Sequence, residues 1–199
     1  MSEIAVTGRT RVKRGRKIAN YDRETINRII DEAWVCNIGI NAAGQTIVQP
    51  TSHWRIGNEL FLHGSVKNAL FQQVMKGETA CISLFLLDGL VFARSAYHHS
   101  VNFRSVVLYG NGRLVDDPRE KRSALDAMLE KYSRGRSAEA RPPNETEMKV
   151  TAVFAFPIEE VSAKIRTGGP NEEPEDMALD IWAGVKPVST VVGELIPDL

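Results

Sequence analysis

Net charge is the first thing this chain lacks: 25 Lys and Arg are matched by 25 Asp and Glu. Overall electrostatics therefore give no argument for nucleic acid or an anionic membrane as a partner. Long apolar runs are missing as well. The N-terminus has no signal-peptide core, and no later segment is apolar enough over the length a bilayer needs. Cysteine is scarce: Cys36 and Cys81 stand far apart, in apolar surroundings and outside any CxxC pattern. They are expected to be free, buried thiols of a cytoplasmic protein rather than a disulfide, metal ligands or a nucleophile.

The common chemical fingerprints are absent too. There is no GxGxxG and no GxxxxGK[ST], so any nucleotide must be held by strand ends and a barrel face. HExxH spacing and Cys/His groupings are lacking, and no metal site is expected. Ser52, Ser65, Ser100 and Ser105 do not sit in a GxSxG elbow, which disfavours a serine hydrolase.

What is present is a chain of 199 residues with 43% apolar content, enough for one soluble domain with a sizeable core. Residues 1–19 carry Arg9, Arg11, Lys13, Arg14, Arg16 and Lys17 with little apolar periodicity and read as an exposed basic arm; residues 20–199 form the domain. Asp22 caps a predicted helix over Arg23–Ala33, with Ile26, Ile29, Ile30 and Ala33 on one buried stripe. Trp34–Asn41 and Thr46–His53 read as strands joined at Asn41-Ala42-Ala43-Gly44, and Glu59–His63 as a third antiparallel strand. A short helix over Asn68–Met75 and a buried strand over Thr79–Leu87 follow, and Asp88-Gly89 is read as a turn. Asn102–Val115 reads as a long strand bent at Gly110 and Gly112. Asp117-Pro118-Arg119-Glu120 combines an N-cap, a first-turn proline and a capping-box Glu. Residues 133–147 read as a polar loop, followed by strands over Lys149–Phe156 and Val161–Arg166 and a short apolar stretch over Pro187–Val192. Many short strands with few helices point to a small antiparallel barrel with peripheral helices.

The stretch Leu60–Gln73 runs from an apolar strand through a polar turn into a helix start, the layout of an anion cradle. Gly64 permits a close turn, Ser65 offers a hydroxyl and a cap, and Lys67 brings positive charge to helix N–H groups. A plain capped helix explains the same residues. His63 ends the strand at this turn, where an imidazole either packs structurally or donates a proton to a bound ring. His98 and His99 are adjacent and cannot face one point on a strand.

Taken in order, the helix, the meander, Leu62-His63-Gly64-Ser65-Val66-Lys67-Asn68, the second helix, Phe103-Arg104-Ser105 through Gly110 and the Asp117-Pro118 helix resemble the pyridoxamine 5′-phosphate oxidase-like split β-barrel superfamily, in particular the flavin-nucleotide-binding branch that includes nitroimidazole-resistance proteins. The likeness covers roughly Asn20 to Gly184. It implies a mainly β fold, a six-stranded antiparallel split barrel of Greek-key type, assembled as a homodimer with flavin mononucleotide (FMN) at the subunit interface. By position, Gln49, Pro50, Thr51 and Ser52 would lie along the flavin ring. His63, Gly64, Ser65, Lys67 and Asn68 would hold the ribityl chain and phosphate; Arg104, Ser105 and Trp182 would line the site, in part from the second subunit. His63 is the match to the histidine that the branch places near the flavin, and thus the catalytic candidate.

The chain departs from oxidases of this superfamily in two places. It has no arginine after Arg166, where they carry a basic motif, and Val66 stands where an arginine often precedes the phosphate lysine. Activity on pyridoxamine phosphate is accordingly disfavoured. The leading expectation is an FMN-dependent oxidoreductase passing electrons from a reduced nicotinamide nucleotide to a small acceptor such as a nitroaromatic, quinone or flavin. The alternative is a non-catalytic flavin- or haem-binding protein on the same barrel, with His63 or His98 as axial ligand.

Overall fold

The computed structural model describes residues 2–198. Strand makes up 38% of the chain and helix 26%, and every strand pairing is antiparallel, so the mainly β, split-barrel expectation holds. The strands fall into two sheets that do not close into one continuous barrel.

The chain begins against the barrel rather than away from it. Ile4 is only 5% exposed and joins the main core, and Thr10 is buried. Arg9 pairs with Glu160 at 2.5 Å. Ile4 and Thr10 thus anchor the segment, single contacts that leave no periodic signal, while Arg9, Arg11, Lys13, Arg14, Arg16 and Lys17 are exposed. Strand β1 (Ala19–Asn20) follows, then α1 (Arg23–Glu32), capped as expected by Asp22, whose carboxylate accepts from the Thr25 N–H at 2.9 Å.

Strands β2 (Val35–Ala42) and β3 (Gln45–Ser52) form a hairpin whose two turn residues, Ala43 and Gly44, have φ of 51° and 78°. That is the signature of a primed two-residue turn. β4 (Trp54–Ile56) and β5 (Glu59–Ser65) lead into α2 (Ala69–Met75). β6 (Ala80–Phe92) runs through Asp88 and Gly89 with a register shift between Leu87 and Gly89, so the expected turn there is a bulge in one long strand. β7 (Ser100–Gly110) and β8 (Arg113–Leu114) pair in different sheets. The bend expected at Gly110 and Gly112 is this crossing. A Cβ on Gly112 would stand 2.6 Å from the Phe156 ring, so the close approach requires glycine.

α3 (Pro118–Tyr132) is capped by Asp117, which accepts from the N–H groups of Arg119 and Glu120. Glu120 does not complete a capping box; its side chain pairs with Arg113 at 2.7 Å. The supposed polar loop contains two short helices, α4 (Arg136–Glu139) and α5 (Glu145–Val150), the latter closed by a reciprocal Asn144/Glu147 capping box. β9 (Thr151–Pro157), β10 (Glu160–Arg166) and β11 (Gly184–Pro187) complete the fold, β11 lying slightly ahead of the expected apolar stretch.

The larger sheet runs β1-β10-β7-β6-β2-β3, with β11 also on β6; the smaller runs β4-β5-β9-β8. The main core lies between them, with Ile38, Ile82 and Leu108 on one side and Leu60, Leu62 and Phe154 on the other, closed by α1 and α2. A second, smaller cluster fills the far face of the small sheet, where Ala124, Leu125 and Met128 of α3 cover Trp54, Phe61 and Val153.

Candidate functional site

β3 is the edge of the larger sheet, and β2 is its only strand partner among the described residues. Alternate backbone N–H and C=O groups of β3 therefore face outward unpaired, and Pro50 is tolerated in it because an edge strand need not donate from every residue. Register places Gln49 opposite Ile38 and Thr51 opposite Cys36, both of which point into the core, so Pro50 and Ser52 point to the other face. Ser52 Oγ accepts from the Tyr132 hydroxyl at 2.9 Å, a partner that sequence reasoning missed because it arrives from the end of α3.

β5 delivers the turn. Gly64 is extended and paired with Ala152 rather than turned; a Cβ there would meet Phe71 at 2.4 Å. Its glycine is required for packing, which corrects the expected turning role. Ser65 is not the helix cap either. Asn68 Oδ1 accepts from the N–H groups of Leu70 and Phe71, while Ser65 Oγ accepts from Lys67 N–H at 3.2 Å. The N–H groups of Leu70 and Phe71 at the start of α2 are thus taken by the cap, which leaves an anion chiefly the side chains of Lys67 and Ser65, both exposed. Among the described residues Lys67 has no ion-pair partner. Asn68 Nδ2 then donates to Gln49 Oε1 at 2.9 Å, joining the turn to β3.

His63 lies on the α3 side of β5, its ring 5.7 Å from that of Trp54. Burial pushes its imidazole below the ordinary histidine range, and its Nδ1 is buried without a partner among the described residues. It is a neutral ring at neutral pH, fit to accept a proton or a hydrogen bond. His53, given no role in the sequence reading, is fully buried; Nε2 meets the Ile30 carbonyl at 2.8 Å. Burial first, then the Lys131 ammonium, lowers it to about 4.

Arg104 and Ser105 do not join this cluster within one chain. They lie on β7, three strands from β3, roughly 14 Å at the usual strand spacing. The Arg104 guanidinium is held by Asp88, at 2.7 and 2.9 Å, and by Glu32 of α1, and it lines a small cleft of about 210 Å³. Trp182 is 69% exposed and its ring lies 5.7 Å from that of Phe92. Phe92 is some nine residues along β6 from the contact with β2, on the order of 30 Å. The structure thus gathers Gln49–Ser52, Ser65, Lys67 and Asn68 at one seam and places Arg104, Ser105 and Trp182 elsewhere on the subunit.

A second polar and aromatic cluster surrounds Trp182. His99 packs edge-on against Phe92 at 5.7 Å, and its Nδ1 lies 3.1 Å from the Ser95 carbonyl. A carbonyl only accepts, so Nδ1 carries the proton and Nε2 keeps its lone pair. His98 Nε2 instead lies 3.5 Å from Glu173. Exposed Tyr97, Ile181 and Leu179 complete an apolar surface there. Cys36 and Cys81 are free thiols. Burial pushes the Cys36 thiol up to about 12, which removes it as a nucleophile. No helix among the described residues is long and apolar enough to cross a membrane.

Two antiparallel sheets meeting at the β3–β5 seam, with α3 over the far face of the smaller one, define a split-barrel protein. The chain belongs to the pyridoxamine 5′-phosphate oxidase family, whose sequence profile matches residues 22–165. Among solved structures it is similar to the flavocytochrome Anf3 from Azotobacter vinelandii, at 38% identity and a TM-score of 0.92 over 96% of this chain and 89% of that one. It is similar also to the FAD and haem binding protein from Mycobacterium smegmatis, at 30% identity and a TM-score of 0.87 over 91% of this chain and 89% of that one. A candidate 5-nitroimidazole antibiotic resistance protein from Bacteroides thetaiotaomicron shares the fold, at 22% identity and a TM-score of 0.64 over 74% of this chain and 86% of that one. No curated protein matches the chain.

Proposed function

We propose that the protein is a dimeric flavin-binding redox protein that also holds haem, taking electrons from a reduced nicotinamide nucleotide and passing them to a small acceptor such as a nitroaromatic, quinone or flavin. The observation that carries this reading is the likeness, over 96% of the chain, to a flavocytochrome. A second relative is named for FAD and haem together, which favours FAD over the FMN expected from the sequence. The alternative reading, a protein that binds flavin or haem without turnover, rests on the same likeness and differs in predicting no reduction of the bound groups by a reduced nicotinamide nucleotide.

The residues at the seam fit a flavin. The open edge of β3 offers unpaired backbone donors and acceptors to a ring laid along Gln49, Pro50, Thr51 and Ser52, and Ser65 and Lys67 offer a hydroxyl and an ammonium to a phosphate. Asn68 fixes the turn, Gly64 leaves room for the Phe71 ring beside it, and His63 supplies a neutral imidazole nearby. A bound flavin supplies hydride and single-electron transfer; the protein supplies position, exclusion of water and electrostatics.

A homodimer is part of this reading. The face of the larger sheet turned away from the core carries Val35, Val48 and Phe85, each more than half exposed, with Phe85 stacked on Phe103 at 5.3 Å. An apolar sheet face of this kind suits a second copy. Ser105, opposite Phe85 on that face, and Trp182 then line the partner's flavin rather than their own, whereas Arg104, opposite Leu86 on the core side, stays engaged with Asp88 and Glu32.

For haem, His99 is a better fit than His63 or His98. Its Nδ1–H is given to a backbone carbonyl, the arrangement that orients a ligating imidazole, and it sits in an exposed aromatic patch. Titration of the purified protein with FAD, FMN and haemin, read by absorbance, tests the reading. Flavin and haem bands are expected in the wild type and only the flavin bands in His99→Ala; a protein that takes up neither group has another function.

A further inference from the structure

Beside the turn Ser65–Asn68 lies a second cavity, of about 600 Å³, that none of the flavin- or haem-binding residues above lines. Its size is that of a small-molecule site, and its character is that of one as well: mostly apolar with a few polar groups at the margin. Val66 of the turn, Met75 at the end of α2, Leu114 of β8 and Met148 of α5 form the apolar walls, and the charged residues Asp116, Lys121, Glu145 and Lys149 also line it.

Val66 ties this cavity to the turn. Its side chain lines the cavity, its N–H donates to the Val150 carbonyl at 3.0 Å, and its chain neighbours are Ser65 and Lys67. The cavity and the phosphate turn therefore share a wall. Lys121 frames the cavity from α3 by donating to the carbonyls of Met148 and Thr151, which holds α5 in place and leaves its ammonium already engaged. Lys149 is exposed and has no acidic partner among the described residues.

A flavin that ended at its first phosphate would leave this space without use. FAD continues through a second phosphate to adenosine, whose base is flat and apolar on its faces and carries an exocyclic amine on its edge. A charged residue at position 66 would suit a terminal phosphate; a valine suits a phosphate that leads on to an apolar group. We propose that the cavity takes the adenosine half of FAD, with Val66, Met75 and Met148 against the base, Asp116 accepting from the amine and Lys149 beside the second phosphate. The assignment rests on the flavin reading given above.

The test is equilibrium binding of FAD, FMN and ADP by the wild-type protein, by Met148→Trp, which fills the cavity, and by Asp116→Asn and Met148→Leu, which preserve its shape. The wild type is expected to bind FAD about tenfold or more tightly than FMN, with ADP competing against FAD. Met148→Trp is expected to bring FAD to the level of FMN while leaving FMN unchanged; Asp116→Asn weakens FAD and ADP alone, and Met148→Leu, which keeps an apolar wall, retains the preference for FAD over FMN. Equal affinity for the two flavins in the wild type, unmoved by Met148→Trp, overturns the adenosine site and leaves the flavin reading standing. Absence of any flavin binding overturns that reading and this one with it. Loss of the haem band in Met148→Trp with FAD retained gives the cavity to haem and also overturns the assignment.

Discussion

Asn68 donates its side-chain amide to the Gln49 side-chain oxygen at 2.9 Å, while its own oxygen caps α2. One side chain thus fastens the phosphate turn to the strand proposed for the flavin ring. Replacing it with alanine removes both contacts. Asn68→Ala is expected to lose about 1 kcal/mol of stability from the lost cap, and to weaken flavin binding by more than Gln49→Ala does. Thermal denaturation with and without flavin separates the two losses; equal flavin affinity in all three proteins would detach this pair from the site.

Lys67 is exposed at the same turn and free of any ion pair among the described residues, so its replacement disturbs little besides a bound anion. Lys67→Ala is expected to lower flavin affinity about tenfold with unchanged melting temperature. The loss should shrink as salt is raised, since an exposed charge is screened. Fluorescence titration at two ionic strengths checks it.

His53 predicts a pH dependence of stability. Its imidazole is pushed down to about 4 in the folded chain, by burial and then by Lys131 of α3, with Asp31 of α1 opposing; in the unfolded chain it takes a proton near 6.5. The unfolded state binds the proton first as pH falls. Stability from this group is therefore full above about pH 6.5 and is lost between there and pH 4, by about 3 kcal/mol. Urea unfolding across that range should show the slope, and His53→Gln should flatten it.

Ala43 holds a φ of 51° in the β2–β3 turn, a conformation that disfavours a Cβ. Ala43→Gly is expected to raise stability by about 1 kcal/mol. Chemical denaturation checks the sign, and a loss of stability would mean that the strain is balanced by another contact.

Phe85 is exposed on the outer face of the larger sheet. Phe85→Glu puts a charge where the proposed partner subunit sits, and a monomer is expected by light scattering in place of a dimer. Flavin affinity should fall with it, because the proposed dimer brings Ser105 and Trp182 to the site from the partner.

Local chemistry made much of the fold legible. Asp22 and Asp117 cap the helices they were expected to cap, and Ala43-Gly44 turns the first hairpin, because each acts on its immediate neighbours. Contacts that depend on distant residues were not visible. Glu120 abandons its capping box for Arg113, which reaches it from β8, and Arg104 is held by Glu32, 72 residues away. The Asp88-Gly89 pair reads as a turn in sequence, and only its neighbours in the sheet make it a bulge. Asn144 and Glu147 carried a legible capping signal that the flanking Pro142-Pro143 obscured. At the candidate site, the turn was legible as a strand-to-helix junction, and only the family resemblance joined it to β3. The sharing of Asn68 between them, and the cavity beside Val66, needed three dimensions.

The proposed redox role requires a reduced nicotinamide nucleotide to reduce the bound flavin, with the proposed haem taking electrons from the flavin on the way to the small acceptor. It is tested most directly by adding a reduced nicotinamide nucleotide, without oxygen, to protein loaded with FAD and haemin and following both absorbance bands. Bleaching of the flavin band and a shift of the haem band to the ferrous position are expected, both lost when flavin is omitted. Protein that binds both groups but shows neither change with a reduced nicotinamide would contradict it and leave a binding protein without turnover.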